Sequence, residues 1–298
     1  MIQRRNFLKR SAGFAATAAG FSLAEGKVLR QSGVKLKLGL NAYSFDKLLR
    51  DGSMTLADAV HYCAQHGIDG LDATGYYFPG YPKAPVDEYI YNLKKTAFLN
   101  GVTICGAGVR NDFSTPDAAG RKSDIQMIKN WIEAAGKLGA PLIRVFSGRG
   151  LPRGHTFDQV FEWMVPDFKE CAAFGERHGV ILGLQQHNDF LKTADETIRL
   201  VDAVNSEWFG VILDVGSLRQ NDPYREIEKL VPYAVSWQIK EEVWYGAKAT
   251  PIDLRRVKAI IDKSGYRGFV PIEALGGGDS RVKVAQFLEK VRSEFALY

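Results

Sequence analysis

From Lys35 onward the chain alternates short runs of apolar and β-branched residues with amphipathic segments of ten to twenty residues, and it does so eight times. Strands are expected near residues 35–42, 69–73, 102–108, 142–147, 180–186, 210–215, 234–240 and 268–273. Helices are expected near 55–65, 87–100, 121–138, 157–178, 194–204, 224–230, 252–263 and 280–294. Strands that alternate with helices are joined by parallel crossovers. Thr55, Asp87, Thr156 and Asp195 stand near the predicted helix starts, where a side-chain oxygen can accept from free amides. Eight such units can close into a barrel or spread into an open doubly wound sheet. No dinucleotide-binding glycine pattern follows the first strand, and polar residues recur at strand ends around the set. A single-domain α/β fold of the (β/α)8 TIM-barrel type, over residues 35–298, is therefore predicted.

Four strand ends in the second half carry ligand or acid–base chemistry: Ile181-Leu-Gly-Leu-Gln185-Gln-His187, Val211-Ile-Leu-Asp214, Ala234-Val-Ser-Trp-Gln238-Ile-Lys240 and Phe269-Val-Pro-Ile-Glu273. Gln185, Asp214, Gln238 and Glu273 are separated by 29, 24 and 35 residues, each about one strand plus one helix. In a closed parallel barrel such residues converge on the mouth at the carboxyl ends of the strands, where barrel enzymes keep their sites.

The amino-terminal segment reads differently. Arg4-Arg5-Asn6-Phe7-Leu8-Lys9 fits a twin-arginine export signal, followed by a mild apolar stretch from Ser11 to Leu23 and small residues around Ala24. The alternative is an ordinary basic amphipathic helix. The expectation is a signal peptide over residues 1–24, a linker over 25–34, and a periplasmic or otherwise exported protein with no membrane anchor after cleavage. The apolar stretch is too short and too rich in Ala, Gly and Ser for a membrane span. The full chain has a formal charge of +5. The signal holds Arg4, Arg5, Lys9 and Arg10 and no acid, so the remainder is near neutral and no nucleic-acid partner is inferred. Cys63, Cys105 and Cys171 have no paired spacing and are expected as buried free thiols.

The strand-ending residues resemble the metal-binding quartet of the xylose isomerase-like barrel superfamily, which includes sugar epimerases, inosose dehydratases and endonuclease IV. The epimerase branch usually presents Glu after strand five, often with His two residues later. Asp then follows strand six, His stands in a His-x-Lys-Asp run at strand seven, and Glu follows strand eight. Asp214 and Glu273 match; Gln185 stands where the first glutamate would be, and Gln238 where the histidine would be. Residues 54–85, with Thr74-Gly-Tyr-Tyr-Phe-Pro-Gly-Tyr-Pro82, also resemble an exported branch of sugar phosphate isomerase/epimerase-like proteins.

The resemblance implies a divalent cation held by Gln185, Asp214, Gln238 and Glu273. An all-oxygen donor set suits Mn²⁺, Mg²⁺ or Ca²⁺ better than Zn²⁺; the alternative is that the amides meet sugar hydroxyls directly. A glutamine amide accepts no proton near neutral pH, so proton exchange between two glutamates is not expected here. Glu273 is the leading acid–base candidate and His187 the second. Lys240 is a candidate to polarise a carbonyl or hold an enolate oxygen, against a plain salt bridge to Glu241 or Glu242. Substrate-binding candidates are Asn41, Tyr43, Asp72, Arg110, Arg144, Trp237 and Trp244, with aromatic packing as the alternative for Trp237.

The reaction expected from the resemblance is isomerisation or epimerisation of a sugar or keto-sugar, by proton abstraction next to a carbonyl and assisted by metal. A β-elimination from a 3-keto-glycoside and a noncatalytic carbohydrate-binding barrel stay open beside it. A glycoside hydrolase using Asp214 and Glu273 is a further possibility, to be judged on their separation.

Overall fold

The computed structural model describes residues 36–295, so the signal peptide expected over 1–24 and the linker expected over 25–34 lie outside the described residues. Eight parallel strands close into a barrel in sequential order: β1 (Lys37–Asn41), β2 (Gly70–Thr74), β3 (Thr103–Gly108), β4 (Leu142–Phe146), β5 (Ile181–Gln185), β6 (Phe209–Asp214), β7 (Ala234–Lys240) and β8 (Phe269–Glu273). Closure is made by β8 pairing with β1, from Lys37 opposite Phe269 to Leu40 opposite Ile272. The strands are apolar on both faces because helices cover one face and the barrel interior covers the other.

Each strand is followed by a helix: α1 (Leu56–Gln65), α2 (Asp87–Leu99), α3 (Ala118–Leu138), α4 (Phe157–His178), α5 (Ala194–Val204), α6 (Pro223–Leu230), α7 (Leu254–Ser264) and α8 (Ser280–Phe295). Local chemistry explains several starts. Thr55, Thr156 and Thr193 each accept from an amide three residues on, while Asp58, Gln159 and Glu196 reach back to the threonine amides. Two free amides are satisfied at each end by this reciprocal pairing. Helix α4 stops at Gly179, whose φ of 67° is the left-handed conformation that favours glycine.

Sequence and structure differ in several places, among them a short helix, Asp46–Arg50, that the alternation did not mark. Helix α3 begins at Ala118, three residues before its predicted start, because Asp117 accepts from the amide of Ala119. Between β7 and α7 lies an antiparallel hairpin, Glu242–Tyr245 with Lys248–Pro251, which the alternation did not signal. Its strands of four residues are too short for a period to be read.

Two irregularities in strand pairing bear on the site. The register between β2 and β3 shifts between Leu71 and Asp72, and that between β6 and β7 shifts between Val211 and Ile212. Such bulges re-aim side chains near barrel rims. Cys63, Cys105 and Cys171 are buried free thiols, as expected. Among the described residues, no helix is long and apolar enough to cross a membrane.

Replacing Thr156 by Ala removes the hydroxyl that accepts from Gln159. Urea unfolding is expected to show a loss of about 1 kcal/mol, the usual cost of losing such a cap.

Candidate active site at the carboxyl ends of the strands

The four residues read from the second-half strand ends do converge. Gln185 at the end of β5 donates from Nε2 to Asp214 Oδ2 at 2.7 Å and to Gln238 Oε1 at 2.8 Å. Lys240, the last residue of β7, places Nζ 2.9 Å from Asp214 Oδ2 and 3.2 Å from Glu273 Oε1. The alternative partners Glu241 and Glu242 are therefore not the ones Lys240 takes. Parallel register accounts for the meeting, since Asp214 pairs with Gln238 and Lys240 with Glu273 on adjacent strands. Gln185, Asp214, Gln238 and Glu273 are all buried.

Several residues that the sequence did not single out hold this cluster. Ser217 donates to Asp214 Oδ2 at 2.8 Å, and the Gly216 amide donates to Oδ1 at 3.0 Å. Gln186 clamps the Asp214 backbone, donating to its carbonyl and accepting from its amide. The available signal was Asp214-Val-Gly-Ser217, a short polar turn directly after a strand.

A second cluster occupies the β1, β2 and β4 side of the mouth. Arg144, buried within β4, donates from Nη1 to Asp72 Oδ2 at 3.1 Å and from Nη2 to Thr74 Oγ1 at 3.0 Å. Asn41 donates to Asp72 Oδ2 at 3.2 Å, and its own oxygen accepts from Thr74 and from the Tyr43 amide. Gly108 makes room for the guanidinium: a Cβ there would lie 2.9 Å from Arg144 Cβ and 3.0 Å from its Nε.

The remaining candidates are placed around these clusters. Arg110 pairs with Asp189 at 3.0 Å and lies over the Phe146 ring at 4.2 Å. His187 approaches the same Asp189 at 3.5 Å and stands edge-on to Phe146. Tyr43 is partly exposed beside a 570 Å³ cavity lined by Ser44 and the loop from Ala274 to Arg281. Trp244, in the hairpin, carries the Arg219 guanidinium at 4.0 Å from its ring centre. Trp237 is not brought to the site. Strand alternation turns it away from the neighbouring Gln238, and it is fully buried against Tyr266, so packing is its role.

The electrostatics separate the roles. Burial lowers the affinity of Lys240 for its proton, but Asp214 and Glu273 outweigh that and raise its pKa above the usual lysine range. Lys240 is thus a fixed cation and no general base. Burial pushes Asp214 up, but the charges of Lys240 and His187, with hydrogen bonds from Lys240 and Ser217, hold it below its ordinary 3.8. Burial raises the Asp72 pKa; Arg144 opposes the rise and Glu273 adds to it. Buried atoms at the mouth without a hydrogen-bond partner are the acceptor Asp72 Oδ1, the donors Arg144 Nε and Gln238 Nε2, and His187 Nδ1.

Residues 60–291 match the family described as xylose isomerase-like TIM barrel, and the chain belongs to that family. No curated protein matches its sequence significantly. Solved structures of the same fold include D-psicose 3-epimerase from Clostridium cellulolyticum H10 with D-tagatose, at a TM-score of 0.73 and 19% identity, covering 87% of this chain and 99% of that one. The 3-keto-D-glucoside 4-epimerase of E. coli aligns at 0.70 and 14% identity, covering 87% and 100%. The IolI protein with a zinc atom aligns at 0.69 and 16%, covering 88% and 97%. At these identities the likeness is one of fold.

The donor chemistry of this chain does not fit a divalent ion as the quartet stands. A carboxylate only accepts hydrogen bonds, so the Gln185 atom 2.7 Å from Asp214 is nitrogen and not a ligand oxygen. The Gln238 oxygen is taken by the same amide. Asp214 Oδ2 already receives three donors, and the ammonium that it shares with Glu273 stands where a cation would be attracted. Among the described residues, no group of three His, Cys, Asp or Glu side chains is arranged to hold a metal ion.

Arg144→Met leaves Asp72 buried without its cation, which is expected to cost about 3–5 kcal/mol in urea unfolding. Adding Asp72→Asn to it should recover part of that loss, the sign of a coupled pair. Asp214 has a folded pKa below its unfolded one, so its contribution is complete at neutral pH and is lost as pH falls below about 3.8. Asp214→Asn should remove that part of the acid-side slope in melting temperature measured from pH 6 to pH 2.

Proposed function

We propose that this chain is a carbohydrate isomerase or epimerase that removes a proton next to the carbonyl of a sugar or keto-sugar. One observation carries the reading: the carboxylate of Glu273 and the ammonium of Lys240 stand 3.2 Å apart at the barrel mouth. Proton abstraction beside a carbonyl needs a base for the C–H and a positive group for the oxygen that becomes an enolate. Glu273 supplies the first and Lys240 the second. His187, beside Phe146 at the rim, is the second proton carrier in this scheme. Asp72 Oδ1 and Gln238 Nε2 offer an acceptor and a donor to sugar hydroxyls. The named epimerases of the same fold act on sugars, which supports a carbohydrate as substrate.

The state of Gln185 favours a second reaction in the same site. Gln185 carries an amide that donates to Asp214, so Glu273 is the one member of the Gln185–Glu273 pair that can move a proton. β-Elimination from a 3-keto-glycoside needs one base and one oxyanion holder, and this set provides both. The amino-terminal Arg4-Arg5 segment supports a location outside the cytoplasm. Arg4→Lys with Arg5→Lys should retain the protein in the cytoplasmic fraction.

Keto-sugars and 3-keto-glycosides incubated with the protein in D₂O distinguish the readings by NMR. Deuterium entering the carbon next to the carbonyl indicates isomerase or epimerase chemistry, and release of the aglycone indicates elimination. Glu273→Gln is expected to slow either by at least about 10²-fold, and Lys240→Met by about 10²–10³-fold. Sugar binding without exchange or release across the panel would refute the enzymatic reading in favour of a binding barrel.

A further inference from the structure

We infer that the working cation of this site is the Lys240 ammonium, standing in place of a divalent ion, and that it grips a single substrate oxygen. The inference rests on the carbonyl chemistry above for the identity of that oxygen, but not for the claim about the cation.

Three observations carry it. The first is position: Nζ lies within 3.2 Å of both carboxylates of the site, Asp214 and Glu273, and so neutralises the pair of negative charges that would otherwise draw a divalent ion. The second is the chemistry of the two amides. An oxygen-only cage for a divalent ion needs donors that turn lone pairs inward. Gln185 instead turns N–H toward Asp214 and Gln238, and the buried Gln238 Nε2 is a further N–H without a partner. These are groups that face an acceptor, not a cation. The third is the space for the lysine stem. A Cβ at residue 216 would lie 2.7 Å from Lys240 Cδ, so the turn after β6 keeps a glycine where the side chain passes. The extended lysine is thus built into the fold of the β6 turn.

The count of donors then limits the substrate. An ammonium has three N–H bonds. Asp214 and Glu273 take two, which leaves one for a substrate oxygen. A divalent ion could chelate two neighbouring oxygens of a sugar, whereas this site holds one. The ligand class that follows is a keto-sugar whose carbonyl oxygen alone meets the cation, with its hydroxyls read by amide and carboxylate groups such as Gln238 and Asp72. Glu273 takes the proton from the carbon beside that carbonyl; the C–H electron pair moves to form the enolate, and the oxygen charge is met by the remaining N–H of Lys240. No electron leaves or enters the system.

The test uses the purified full chain without substrate, so that its failure and the failure of the proposed reaction are separate results. Metal content is measured by mass spectrometry, and the unfolding temperature is followed with 1 mM Mn²⁺, Mg²⁺, Ca²⁺ or Zn²⁺ and with a chelator. The wild-type protein is expected to carry far less than one equivalent of any ion, and its midpoint should stay put in every condition. Lys240→Met, which leaves two carboxylates without their cation, should gain a response to Mn²⁺. An ion at a hundred times its dissociation constant raises the midpoint of a chain of this size by about 5 °C or more. Lys240→Gln serves the same arm where the methionine variant does not fold. A stoichiometric ion in the wild-type protein that is lost in Asp214→Asn would overturn the inference. So would a wild-type midpoint that rises with a divalent ion, or a lysine variant that responds no more than the wild type.

Discussion

Closure of β8 onto β1 is the constraint on which the rest of this structure depends. Once Lys37 pairs with Phe269 and Leu40 with Ile272, the barrel sheet has no edge left and its eight strands are covered by helices outside and by one another inside. A polar side chain that points into such a barrel has no access to bulk water and must find partners inside. The strand ends of this chain carry Asn41, Asp72, Arg144, Gln185, Asp214, Gln238, Lys240 and Glu273, all but Lys240 buried outright. Closure therefore compels them to pair with one another, and they do so as two ionic clusters around two cations.

Burial of ion pairs is a poor way to gain stability, because desolvation offsets most of the attraction. Apolar residues of similar volume would hold the mouth at least as well. What the clusters provide is fixed charge in a place shielded from solvent; in the proposed reaction, an ammonium held there would act on a developing oxyanion far more strongly than in water. The pairing is also incomplete in a directed way. Asp214 is saturated with donors, whereas Asp72 Oδ1, Arg144 Nε and Gln238 Nε2 are buried without a hydrogen-bond partner. Under the proposed function, unpartnered acceptors and donors at the mouth would be satisfied by a polyhydroxylated ligand.

Much of the architecture was legible because barrel strands and helices differ in period and length. The eight strands and eight covering helices fall where the alternation placed them, with α3 starting three residues early at Ala118. The hairpin from Glu242 to Pro251 was not legible, since four residues carry too few turns of any period. Trp237 shows a different limit: composition marks an aromatic at a strand end, but whether it faces the mouth depends on its parity relative to Gln238. The same is true of Asp189 and Ser217, whose importance comes from the residues folded against them.

The sequence by itself determined the βα repeat, the order of the strands and the polar residues that end them, because these follow from local periodicity and from the closing rule for parallel sheets. It also determined that a glutamine stands at position 185, and so which proton transfers are closed to the site. Only the tertiary structure decided which partners Lys240 takes. Its neighbours in sequence, Glu241 and Glu242, offered a surface salt bridge, yet its ammonium lies between Asp214 and Glu273, 26 and 33 residues away. Electrostatic partners are chosen by distance in space, and in a barrel that distance is set by register across strands, which no local pattern in the chain encodes.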